Sequence, residues 1–259
     1  MADEQWGAAV RLLWGPPTVP ARGPKRALTL AGIAEAGVAI ADAEGLAGVS
    51  MQRVAGELAV TKMALYRYVP GKAELVALMV EAAMPDPGAG LDAALAAAGD
   101  GWRERLGAWA RQLYAGFRAH PWMLGATVGV RAVGPREVGW MERALAALEG
   151  CGLSGAEAMD AVVLLTGHVR GIAEQERATA EATGAATGAA TGAGGEPRPD
   201  AELGAVLDTV MRMRGAEFPA LGAALASVVA AGGQDQALDF GLERILDGLG
   251  LLVERRATS

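Results

Sequence analysis

Two hydroxyl residues, Ser50 and Thr61, set the tightest constraint on what this chain can become. Each can accept a hydrogen bond from a backbone N–H in the first turn of a helix. Ser50 opens a short helix whose Val54 and Leu58 face inward, and Thr61 opens another over 61–68 with Leu65 as its inward anchor. Between them "LAVT" leaves room only for a tight turn, and Pro70-Gly71 breaks the second helix. Two helices joined so closely have the spacing of a helix-turn-helix, with the small Ala55 where the second must cross the first. The second helix presents Lys62 and Tyr66, side chains able to reach phosphates, guanine edges or thymine methyls. An ordinary helical hairpin with a solvated face has the same spacing.

The flanks are also helical in pattern. Thr29 can cap a helix that carries Leu30, Ile33, Gly37 and Ile40 on one stripe and ends near Gly45. A fourth helix, Lys72 to Met84, would bury Leu75, Leu78, Met79 and Ala82 before "PDPG" stops it. Further on, Trp102, Leu106, Trp109, Leu113 and Phe117 recur at helical spacing until Pro121. Pro135 suits the start of a helix to Glu149, and "SGAE" at 154–157 is a capping box for a long helix to about 180. Asp200 can cap a helix to about 213, and a softer Ala-rich segment lies around 219–231. A last helix, about 235–255, aligns Leu238, Leu242, Ile245, Leu249 and Leu252. No segment reads as a strand, and aromatics at 5% with abundant Ala and Gly favour closely packed helices. The predicted fold class is all-α.

Two stretches read as unstructured. Residues 1–27 hold four prolines and three basic residues in "WGPPTVPARGPKRA" and are expected to form a flexible basic arm. Residues 182–199, a Thr-Gly-Ala-Ala repeat, are expected to form a flexible surface loop, because each helical glycine costs about 1 kcal/mol.

Charge separates the chain into unlike parts. The net charge of −7 argues against general nucleic-acid binding. Yet residues 22–72 hold seven basic residues against four acids, so the acidity belongs to the remainder. A basic module on an acidic body suits a small DNA-binding head on a larger ligand or partner domain. The single cysteine, Cys151, forms neither an intrachain disulfide nor a cysteine-based zinc site. With no basic, apolar leader pattern and no long apolar run, a cytoplasmic location and no membrane partner are expected. No GxSxG, HExxH or phosphate-loop pattern is present, and there are two histidines, so an enzyme is not expected.

The stretch "VSMQRVAGELAVTKMALYRYVPGKAELVALMVE", residues 49–81, resembles the DNA-binding head of the TetR family of transcriptional regulators. The matching positions are Ser50, Val54-Ala55, Leu58, Val60, Leu65-Tyr66, Tyr68, Val69, Lys72 and Leu75. The body more loosely resembles the tetracycline-repressor branch, through "AHPWM", "GLSGAEAM", "FPALGAAL" and "DFGLERILDGL". Two positions depart from the pattern. Ala59 stands where the family usually has glycine, which would cost about 1 kcal/mol if φ is positive there, and Tyr68 stands where histidine is common.

The resemblance implies a three-helix helix-turn-helix head at 28–84, including a linking helix at 72–84. A larger helical domain at 85–259 would bind ligand and dimerise. Tyr66, Tyr68 and Lys72 would hold the phosphate backbone; Lys62, Met63, Ala64 and Gln52 would face bases; Ser50, Arg53 and Thr61 would neighbour phosphates. Arg22, Lys25 and Arg26 would lie in the minor groove or along the backbone. The implied partners are a double-stranded DNA operator, a small-molecule effector and a second copy of the chain. Dimer contacts would come from Leu238, Leu242, Ile245, Leu249 and Leu252 together with the capped helix at 155–180, in an intersubunit four-helix bundle, with both stripes as intramolecular core the alternative. Pocket candidates are Trp109, Leu113, Phe117, Trp122, Met123, Met159, Val163, Thr166, His168 and Arg170, each with plain core as its alternative, while His120 reads as a helix-end hydrogen bonder. No metal or cofactor is expected. The implied activity is that of a ligand-responsive repressor released from a palindromic operator, with signal passing through the 72–84 helix. The competing reading is a small-molecule- or protein-binding helical dimer that does not bind an operator.

Overall fold

The computed structural model describes residues 2–15, 28–182, 207, 209–230 and 236–258, and among them there are helices and no strands. The head comprises α2 (Leu30–Gly48), α3 (Met51–Glu57) and α4 (Lys62–Tyr66), and α5 (Lys72–Ala83) leads out of it. A π turn at Pro87–Leu91 joins α5 to α6 (Asp92–Ala98), α7 (Trp102–Ala119) and the short α8 (Met123–Ala126). Then follow α9 (Pro135–Ala147), α10 (Gly155–Ala182), α11 (Pro219–Ala230) and α12 (Ala237–Ala257). Ahead of them all stands α1 (Ala2–Trp14).

The local signals produce the local structure. The side chains of Thr29, Ser50 and Thr61 accept from the backbone N–H of Gly32, Arg53 and Ala64. Gly45 breaks the regularity of α2 with φ of 73°, which glycine adopts without penalty. The turn between α3 and α4 places Ala59 at φ 54°, so the strain anticipated for a non-glycine there is present. The capping box also forms: Glu157 accepts from Ser154 N at 2.9 Å, and Glu157 N donates to Ser154 Oγ at 3.3 Å.

Packing then ties the head to the helix that leaves it. Ile33, Val54, Leu65, Val69, Leu75 and Met79 are fully buried. At the crossing of α2 and α5, Gly37 lets the backbones approach: a Cβ there would lie 2.8 Å from Met79 Cγ and Sδ. The same continuous core extends into the body through Leu106, Leu165 and Leu242.

Several expectations change. Residues 2–14 are a helix, not an extended arm; Ala9 is buried and Leu12 and Leu13 pack on the core, with α1 lying against α5. The prolines that suggested an arm begin only after "AAVRLLW", and residues 16–27, including Arg22, Lys25 and Arg26, lie outside the described residues. So do residues 183–199 of the expected loop and the cap at Asp200. On α5, Ala82 is exposed, and Val80 and Met84 are buried beside Met79. On α12, Leu242 is fully buried within its own chain, and Leu238, Ile245 and Leu249 pack against the same core. That stripe faces α7 and α10, so the apolar periodicity marked an intramolecular seam; Leu252 is half-buried.

Two outcomes test this architecture. Gly37→Val overpacks the α2–α5 crossing and costs about 1–3 kcal/mol in denaturant unfolding. Glu157, bonded first by the Arg256 side chain and then by Ser154, has its carboxyl pKa lowered from 4.5 to about 2. A depressed carboxylate stabilises the fold above its ordinary pKa and loses that effect as pH falls through the folded value. The thermal-stability advantage of the native chain over Glu157→Gln is therefore full above about pH 5 and gone near about pH 2.

Candidate nucleic-acid interface and cavity

On α4, Leu65 and the following Val69 point wholly inward, so the other side chains are turned out. Thr61, Lys62, Met63, Tyr66 and Tyr68 are exposed, Met63 to 73%, whereas Ala64 is half-buried. Lys62 Nζ lies 5.6 Å from the centroid of the Tyr66 ring, one helical turn on, which limits the ammonium's wandering. Ser50, Gln52 and Arg53 are exposed at the start of α3, and Lys72 is exposed at the first position of α5. The capping hydroxyls of Ser50 and Thr61 already accept backbone N–H bonds, which leaves their O–H groups to donate to a phosphate. Arg53 is held back by Glu44 at 2.7 Å and Glu57 at 3.4 Å, bonds that a phosphate would have to replace. Arg67, exposed between the two tyrosines, joins this surface although spacing alone gave it no role. Among the described residues, every expected contact residue is thus exposed except the half-buried Ala64.

A small cavity lies in the body, lined by Ala83, Met84 and Pro85 from the end of α5, by Gln112, Leu113, Gly116 and Phe117 of α7, and by Met123 and Trp140. Its free volume, about 10 Å³, is room for one water. Leu113, Phe117 and Met123 are the sequence-chosen residues that line it. Met84, Pro85, Gly116 and Trp140 were missed because the wall is assembled from the ends of elements distant in sequence.

The other chosen residues lie elsewhere. Trp109 is buried and donates its indole N–H to Trp140 O at 2.9 Å, supporting the cavity wall from behind. Thr166 bonds back to Val162 O in its own helix. His168 Nε2 lies 2.9 Å from Leu238 O, and its ring fills the space over Gly241, so it fastens α10 to α12. Met159 and Val163 are exposed on the outer face of α10. Arg170 donates to Thr127 Oγ1 and Leu124 O at the end of α8 and sits over the Phe117 ring at 5.2 Å; burial lowers its pKa. Trp122 turns toward the head: its Nε1 donates to Asp42 Oδ1 of α2 at 2.7 Å. His120, the C-cap of α7, places Nδ1 2.8 Å from the same oxygen.

The end of α5 is fastened to α9. Arg136 Nη1 donates to the carbonyls of Glu81, Ala82 and Met84 at 2.9–3.1 Å. In return the Glu81 carboxylate accepts from Arg136 N at 3.0 and 3.2 Å. Burial pushes the Glu81 pKa up, while that backbone bond and the Arg136 charge oppose the rise. Trp140 Nε1 donates to Pro85 O at 3.0 Å, so a residue of the cavity wall also holds the chain just past α5. Among the described residues no helix is long and apolar enough to cross a membrane, and no cluster of acidic, histidine or cysteine side chains could hold a metal.

Comparison with known proteins agrees with this arrangement. Residues 27–79 match the family described as "Bacterial regulatory proteins, tetR family", and residues 95–253 match "Tetracyclin repressor-like, C-terminal domain". The HTH-type transcriptional repressor DrrR1 of Streptomyces coeruleorubidus is 38% identical over 258 residues, covering 95% of this chain and 86% of that protein. The chain belongs to the TetR family of transcriptional regulators. Among solved structures, a possible TetR family transcriptional regulator from Streptomyces coelicolor A3(2) superposes with a TM-score of 0.64 at 26% identity, covering 86% of this chain and 99% of that one. ActR from Streptomyces coelicolor, in complex with (S)-DNPA, superposes with a TM-score of 0.60 at 25% identity, covering 86% and 96%. The TetR head match spans α2 to the middle of α5, and α1 lies outside both matched ranges.

For this TetR-family head, Lys72→Ala is expected to weaken binding to all DNA sequences alike and to lower the salt slope by about 1. Lys62→Ala is expected instead to relax preference at one base position, by about 1–3 kcal/mol. Anisotropy titrations against operator and scrambled DNA over a salt series separate the two.

Proposed function

We propose that the protein is a dimeric repressor that occupies a palindromic operator and leaves it when a small molecule opens the cavity. The observation that carries this reading is that Ala83, Met84 and Pro85 wall the cavity at one end of α5 while Lys72 stands at the other. Enlarging the cavity on that side would displace the end of the helix on which the head is mounted. The lining is almost wholly apolar, with Gln112 as its polar member, and Phe117, Trp140, Met84 and Met123 suit a flat, largely apolar effector. The name of DrrR1 supports repression, and the ActR complex with (S)-DNPA supports a small-molecule effector.

The dimer surface we assign differs from the stripe predicted on α12. Met159, Val163 (65%) and Leu164 on α10 and Phe240 (62%) and Leu251 on α12 are exposed, and α11 has no buried residue at all. α10 and α12 run antiparallel, with Glu157 bonded to Arg256 at one end and His168 to Leu238 near the other. A second copy would cover these faces and set two recognition helices about 34–36 Å apart.

The test uses the cavity itself. A Cβ at Gly116 meets nothing within 4 Å, so Gly116→Ala takes up part of the one-water space without moving a wall. The variant is expected to retain operator affinity within about threefold and to lose effector-induced release, as measured by anisotropy with upstream DNA and effectors that release the native chain. Salt-independent or absent DNA binding by the native chain would favour a helical dimer without an operator.

A further inference from the structure

We propose that Trp14 and Asp42 are positioning residues for operator binding, two struts that fix the angle of the head on the body, Asp42 by tying α2 directly to the body and Trp14 by bracing the linking helix α5 through α1. The inference rests on the operator-binding reading above. α5 has twelve residues and is therefore about 18 Å long. A tilt of about 10° at its body end would carry the head end by about 3 Å, close to the 3.4 Å rise of one base pair along a strand. A dimer that reads two half-sites at fixed separation thus needs its heads held more closely than one helix in bending contact can manage.

The struts are built from groups with no evident part in either core. Trp14 is 51% exposed, so its ring adds little to the apolar core, yet its Nε1 donates to Val133 O of the α8–α9 segment at 2.9 Å. Val133 adjoins Gly134, which lies against the Glu81 carboxylate at the end of α5. α1 itself lies against α5, with Leu12 and Leu13 packed on the core, and falls outside both matched family ranges. Asp42 acts on the other side. Its Oδ1 takes both the Trp122 indole N–H and the His120 imidazole, at 2.7 and 2.8 Å. Trp122 adjoins Met123, a wall of the cavity, so this strut begins where an effector would press. The head is thus held through α5, which α1 and Trp14 brace, and separately through Asp42 on α2.

The experiment uses the full-length chain and a set of operators whose half-sites are moved apart or together by one base pair. Native protein is expected to prefer one spacing. The double variant Trp14→Phe, Asp42→Ala is expected to lose at least tenfold of that preference, while its affinity for an isolated half-site is unchanged. Asp42→Asn, which keeps a carbonyl oxygen for Trp122, is expected to restore most of it. Full spacing preference in the double variant overturns the proposal, and so does an equal loss on half-site and operator, which would mean a damaged head. Native protein that binds no operator at all would remove the operator-binding reading and this inference with it; native binding with insensitive variants removes this inference alone.

Discussion

The body end of α5 must have its carbonyls satisfied, and Arg136 does it. A helix terminus leaves carbonyls without intrahelical partners, and those removed from water cost free energy unless something donates to them. One guanidinium nitrogen serves Glu81, Ala82 and Met84, and the Glu81 carboxylate returns the favour at the start of α9. Because each residue caps the other's helix, neither α5 nor α9 can shift alone without leaving donors and acceptors unpaired. One and two turns nearer the head the close crossing at Gly37, where a Cβ would meet Met79 and Leu75, packs α2 on α5. The linking helix is therefore packed against the head and fastened to the body at its end.

Charge is divided along the same line. The surface around α4 offers Lys62, Arg67 and Lys72, while Arg53 is tied to Glu44 and Glu57. The body pairs many of its charges with one another on exposed surfaces, as in Arg103–Asp247, Arg111–Asp239 and Arg143–Asp92. Such pairs are worth little in stability, commonly about 0–1 kcal/mol each. Their effect is on approach: a net acidic body is repelled by the phosphate backbone, so the head is the side that can meet DNA.

What could be read from sequence was what is decided locally. The caps at Thr29, Ser50 and Thr61, the Ser154–Glu157 box and the strained Ala59 depend on neighbours within a few residues, and they appear where their spacing put them. The outward set on α4 followed from the same logic, since Leu65 and Val69 fix which way the helix faces. Periodicity could not say which surface an apolar stripe meets. The α12 leucines were legible as a stripe, but their partner turned out to be α7 and α10 of the same chain. The cavity was the least legible part, because Met84, Gly116 and Trp140 meet only through the packing of three helices. Trp122 and His120 were visible as residues at a helix end, yet their acceptor, Asp42, is about eighty positions away in the chain.

A cavity with room for one water is the form expected of the state without effector. A ligand can shift an equilibrium only by its difference in affinity for the two states. On the proposed reading, the free volume of about 10 Å³ is far below what a drug-sized molecule fills, so an effector would favour a state with this cavity enlarged. Opening must move at least one wall. Leu113, Gly116 and Phe117 belong to α7, which is packed against α6, α10 and α12. Trp140 is buried and bonded to Pro85, so it moves with the α5 end. Met123 stands on a four-residue helix held by Arg170 on one side and bordered by Trp122 on the other. The end of α5 and the α8 corner are the two walls joined to the head, one through the linking helix and the other through Asp42. Release by an effector at this cavity, as proposed, would act through one of these two connections.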